Sequence, residues 1–79
     1  MAPTDREKEL AAKASRFIKA EAKRAGIGYK ELAARLNEQG LQETEDSITS
    51  KLARGTFSAT FFLAALQALG IEAFRLDAL

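Results

Sequence analysis

The polar residues best placed to do chemistry in this chain lie between positions 43 and 56. Glu43, Glu45 and Asp46 form its one acidic cluster, and Ser47, Thr49, Ser50, Lys51, Arg54 and Thr56 follow. Serine and threonine hydroxyls can hydrogen-bond base edges without much selectivity, Lys and Arg can reach guanine or phosphate, and Asp can accept from cytosine. Catalysis is a poorer use of the same residues. The chain has no histidine and no cysteine, which removes the commonest general base, the commonest metal ligand and the thiolate nucleophile together. The three acids lack the alternating oxygen ligands and closing glutamate of a calcium loop, and they fit the electrostatics of a helix start better. Gly26-Ile27-Gly28 has neither the third glycine nor the lysine of the phosphate-binding loops. No enzyme activity, cofactor or metal is therefore expected.

With 79 residues, 47% of them hydrophobic, the chain has material for a single domain spanning 1–79 with one compact core. Net charge is only +1 but unevenly placed. Up to Leu36 there are nine Lys/Arg against five Asp/Glu, giving +4, and from Asn37 onward three against six, giving −3. Such asymmetry can draw an anionic partner to one side without being basic enough to identify nucleic acid alone. The longest apolar run, Phe61 to Leu66, is far below the ~20 residues that span a bilayer. The first residues mix acids with bases and offer no apolar signal core. No membrane partner is expected, and the reading is cytoplasmic.

The elements that must position these residues are marked by glycine. Gly26, Gly40, Gly55 and Gly70 recur roughly every fifteen residues, each after a helical stretch. Behind three of them stands a branched aliphatic, Ile27, Leu41 or Ile71, spaced to fold back onto Ala22, Leu36 or Leu66. Gly55 breaks the pattern, because Thr56 follows it.

Thr4 and Glu7 have capping-box spacing, so a first helix is predicted from Thr4 to about Ala25, with Leu10, Ala14, Phe17, Ile18 and Ala22 inward. Lys13, Arg16, Lys19 and Lys23 cover much of its remainder and read as a solvated face. A second helix covers Tyr29 to Asn37 on Leu32, Ala33 and Leu36. Glu38 to Glu43 is a loop, and Thr44 caps a third helix over Glu45 to Arg54 that buries Ile48 and Leu52. On that helix Asp46, Ser47, Ser50 and Arg54 face away from the core, with Thr49 and Lys51 at the flanks. Ser58 caps a fourth helix, apolar nearly all round, which is expected to be enclosed by the others or to wait on one side for a second subunit. The tail from Ile71 carries Phe74, Leu76 and Leu79, and reads either as a short fifth helix or as an extended dimer arm.

Leu32, Ala33, Leu36, Ile48 and Leu52 make the hydrophobic skeleton of a helix-turn-helix, whose second helix lies in the DNA major groove. Ile27-Gly28-Tyr29-Lys30-Glu31-Leu32-Ala33 resembles the start of the second helix in Xre-type, lambda-repressor-like regulators. Thr44 with Ile48, Arg54-Gly55 and Leu69-Gly70-Ile71 are similar to that group's recognition-helix cap, its terminus and the end of its fourth helix. Glu43-Thr44-Glu45, Ala53-Arg54-Gly55-Thr56-Phe57 and Phe61-Phe62-Leu63 further resemble a family of small bacterial domains of unknown function near that group. Tyr29 replaces the usual glutamine, Gly28 the usual Ser/Thr cap, and the turn from Asn37 to Glu43 is longer. The resemblance implies an all-α, compact four- to five-helix, lambda-repressor-like bundle with a lengthened turn.

The expected function is sequence-specific binding of double-stranded DNA by a dimeric transcriptional regulator. Lys30, Ser47, Thr49, Ser50, Lys51, Arg54 and Thr56 are its candidate DNA contacts. The alternative is a protein-protein interaction module, an adaptor or antitoxin-like partner, that keeps the fold without DNA binding. Phe62, Phe74, Leu76 and Leu79 are the candidate dimer or partner contacts.

Overall fold

The capping box at Thr4 forms as its spacing predicts. The Glu7 amide donates to the Thr4 hydroxyl and the Thr4 amide to the Glu7 carboxylate, so two donors that a helix start leaves over are satisfied. This box opens α1 (Asp5–Ala25) in a computed structural model that describes residues 2–79. Three shorter helices follow, α2 (Tyr29–Glu38), α3 (Glu45–Arg54) and α4 (Ala59–Ala68), then one 3-10 turn at Leu76–Ala78. At 21 residues α1 is about 31 Å long, close to the 34 Å long axis of the molecule. The fold is all-α, a compact bundle of four helices. No helix among the described residues is long and apolar enough to cross a membrane.

The three fold-back contacts are present as backbone hydrogen bonds. Ile27 donates to the Ala22 carbonyl, Leu41 to Leu36 and Ile71 to Leu66, each at 2.9–3.1 Å. Gly55 ends α3 differently, with its own amide on the Lys51 carbonyl at 2.9 Å. These stops turn the chain sharply enough that α2 packs on both α3 and α4, while α1 lies against α3. Ile18, Leu32, Leu36 and Ile48 are fully buried at the centre, each stabilising the fold by roughly 1.5–3 kcal/mol.

One expectation is corrected, and two alternatives that the sequence leaves open are narrowed. Leu10, placed on the inward stripe of α1, is 47% exposed, because this end of the long helix runs past the core. α4 is not enclosed: Phe61, Ala64, Ala65 and Leu66 are buried, but Leu63 is 58% exposed. The tail is not an arm reaching away. Phe74 packs against Phe17 of α1 at 5.2 Å between ring centroids and edge-on to Phe62 of α4 at 5.9 Å. Phe57 continues this run onto Phe61 and Phe62, so all five phenylalanines of the chain join α1, α4 and the tail. Leu76 stands away from it, 79% exposed.

Candidate nucleic-acid interface

α3 is presented by a polar network that begins in the turn before it. The Asn37 side-chain amide donates to the Glu43 carbonyl at 3.0 Å and accepts the Glu43 amide at 2.8 Å. A six-residue excursion is thereby closed like a rung of sheet. The buried Glu43 carboxylate turns inward, where it accepts from the Ser47 hydroxyl at 2.7 Å and pairs with the Lys51 ammonium. Thr44 caps α3 reciprocally with Ser47: each backbone amide donates to the other's hydroxyl.

At the far end of α3 the Leu52 carbonyl, one of the four a helix terminus leaves without an internal partner, accepts from the buried Ser15 hydroxyl of α1. Arg35 of α2 does the same for α4, donating to the Ala68 carbonyl at 2.9 Å, and Gln39, just past α2, adds a bond to the Ala64 carbonyl at 3.1 Å.

The expectation that Ser47, facing away from the core, and Lys51, at the flank of α3, are both free as candidate DNA contacts is thus corrected. Ser47 is spent on the cap and on Glu43. Lys51 is half-buried between Glu43 and the Phe61 ring, 4.8 Å from its centroid. The acidic cluster also divides, because Glu43 is neutralised inside while Glu45 and Asp46 face solvent without an ion pair among the described residues. No three acids gather there as a metal site would need.

The outward ridge of α3 keeps Asp46, Thr49, Ser50 and Arg54 exposed. Thr49 donates its hydroxyl to the Glu45 carbonyl at 2.9 Å, so toward solvent it presents a methyl and an acceptor oxygen. Ser50 and Arg54 make no side-chain hydrogen bond within the described chain. Lys30 is exposed at the first turn of α2, and Thr56 is exposed just past α3. Of the expected partner contacts, Phe62 and Phe74 are half-buried in the aromatic run, and Leu79 is half-buried over α1.

Beside this ridge runs a groove of about 660 Å³ between the first half of α1 and the end of α3. Ala11, Ala12, Leu52 and Ala53 line its floor, and Lys8, Arg16, Lys19 and Arg54 stand around it. None of these four cations is in an ion pair among the described residues, whereas Arg6 and Lys13 share Glu9 and Arg24 pairs with Glu21. Glu7 also reaches the groove. The Thr4 backbone amide, and then the Thr4 hydroxyl, hold its carboxyl below the usual carboxylate range. Sequence reasoning placed Arg16 and Lys19 on a solvated face and passed over Lys8. The available signal was the small residues Ala11, Ala12 and Ser15 set between those cations at helical spacing.

The family described as a domain of unknown function (DUF6471) matches residues 10–74, and the chain belongs to it. No curated protein and no solved structure matches it.

Proposed function

We propose that this DUF6471 member binds double-stranded DNA in a sequence-dependent way, as a transcriptional regulator acting as a dimer, with α3 as the element that enters the major groove. The observation that carries the reading is the division of labour on α3. Ile48 and Leu52 hold it to the core, Ser47 and Lys51 fasten it to Glu43, and Thr49, Ser50 and Arg54 are left open on a ridge fixed from both ends. A rigid helix that offers the uncommitted Ser50 hydroxyl, the Thr49 acceptor oxygen and the Arg54 guanidinium has what direct readout of base edges requires. Burial of the Glu43 charge also removes one of three carboxylates that would oppose a polyanion. Selection from random duplexes by the purified protein tests the reading. A defined site should emerge, and Arg54→Ala should weaken binding to it roughly 5- to 150-fold, the equivalent of one good base contact. Binding should fall steeply with added salt. No enriched sequence, or salt-independent binding, refutes it.

The protein-interaction reading draws on different residues. Exposed Leu63 beside half-buried Phe62 leaves part of α4 uncovered, and unpaired Glu45 and Asp46 suit a basic protein surface better than DNA. Light scattering over a concentration range tests it for self-association through α4: association that Leu63→Glu abolishes supports a contact there, and a strict monomer argues against one.

A further inference from the structure

We propose that the groove between α1 and α3 is a docking site for an acidic amphipathic segment of a partner protein. The proposal goes beyond the DNA reading and stands or falls without it. Its basis is the combination of an apolar floor with an unpaired cationic rim. Ala11, Ala12 and Ala53 give the floor short apolar side chains beside the buried Leu52, and Gly55 closes it where it packs directly on Ala11. Side chains of a visiting segment can therefore rest on this apolar floor between the cations. Around them Lys8, Arg16, Lys19 and Arg54 offer four charges with no acidic partner of their own among the described residues. The one acid at the site, Glu7, is engaged by Thr4.

A sugar-phosphate strand would use the cations and waste the floor. Phosphates are held by charges and N–H donors, and the α1 amides along this face are consumed within the helix. The floor rewards apolar side chains and the rim rewards carboxylates, which together describe an amphipathic occupant with an acidic border. Its length follows from the rim. Lys8 to Lys19 on α1 is about 16 Å at 1.5 Å per residue, which matches three turns of a helix carrying apolar residues at i, i+3, i+4 and i+7. Arg54 belongs both to this rim and to the ridge of α3. An occupant of the groove would therefore compete with DNA for that guanidinium.

The test uses the full chain and two synthetic peptides of about 15 residues, with leucines at the same helical spacing and either glutamates or lysines at the flanking positions. Binding is followed by fluorescence anisotropy and mapped by amide chemical shifts. The glutamate peptide should bind and the lysine peptide should not, with shifts concentrated at Ala11, Ala12, Ala53, Gly55 and Thr56. An Arg16→Glu, Lys19→Glu double variant should lose roughly tenfold or more in affinity while its melting temperature stays near the parent's. Lys23→Glu, on the same helix but outside the groove, should bind as the parent does. Shifts centred elsewhere, equal binding of both peptides, no binding of either, or an unaffected double variant would overturn the proposal. So would a double variant that loses a random-sequence duplex while the glutamate peptide never binds, since that outcome makes the groove a phosphate seat. A protein that docks the peptide but selects no DNA sequence keeps this inference and loses the DNA reading. One that selects DNA but ignores the peptide does the reverse.

Discussion

The ammonium of Lys51 closes on the carboxylate of Glu43 while lying over the Phe61 ring, so one side chain ties the turn before α3, α3 itself and the start of α4. Lys51 keeps 30% of its side chain accessible whereas Glu43 keeps only 5%. The two ends of the pair are therefore unequal. Removing the lysine leaves a buried carboxylate with Ser47 as its remaining side-chain donor, and an uncompensated buried charge is costly. Lys51→Ala should destabilise the domain by roughly 2–4 kcal/mol, somewhat under the cost of breaking a fully buried pair. Lys51→Met combined with Glu43→Gln should recover most of that loss, because no charge is then stranded. Urea unfolding of the three proteins measures both. A single variant within about 0.5 kcal/mol of the parent would show that the pair does not organise the turn.

Lys51 also marks where sequence reasoning stopped. Helical periodicity gives an azimuth, and it put Lys51 at the flank of α3, where it is. What periodicity lacks is the path of the preceding loop, and here Asn37 closes that loop so that Glu43 swings under the helix. From sequence Asn37 reads as the last residue of the second helix, and its pairing with Glu43 is visible only once the chain has turned. The stops at Gly26, Gly40 and Gly70 were legible because a glycine and the aliphatic behind it act within six residues. Ile48, Leu52 and the α2 stripe were legible because short helices bury one narrow face. Leu10 was not, since the α1 pattern continues beyond the last residue that packs on it. The groove was out of reach for a related reason: it is a relation between α1 and α3, and neither helix carries it alone.

The pH response of α1 follows from Glu7. Its carboxyl is held below the usual carboxylate range by the Thr4 backbone amide and then by the Thr4 hydroxyl. A group whose folded value is depressed contributes stability above its unfolded value, and that contribution is lost as pH falls through the folded one. The start of α1 should therefore be secured at neutral pH and fray only in acid, below the ordinary glutamate range. Carboxyl chemical shifts of Glu7 followed against pH should show a midpoint below that of a glutamate in an unstructured peptide. Thr4→Ala should move the midpoint upward, since it removes the hydroxyl. A Glu7 that titrates at the peptide value would mean the box is open in solution.

Gly55 and Gly26 separate backbone strain from crowding. Both have left-handed φ, 69° and 71°, so alanine at either is strained by a similar amount. Around Gly26 a β-carbon would meet nothing within 4 Å, but at Gly55 it would lie 3.3 Å from the Ala11 β-carbon and 3.4 Å from the Ala11 carbonyl oxygen. The Ala11 backbone belongs to α1 and cannot give way without moving the helix. Relief must instead come from parting α1 and α3, where Ser15 holds the Leu52 carbonyl. Gly26→Ala should cost about 1 kcal/mol from φ alone. Gly55→Ala should cost about 1–2 kcal/mol more. Thermal or urea unfolding of the two variants, compared side by side, gives the difference directly. Equal losses would mean that α1 is not seated on the end of α3 in solution.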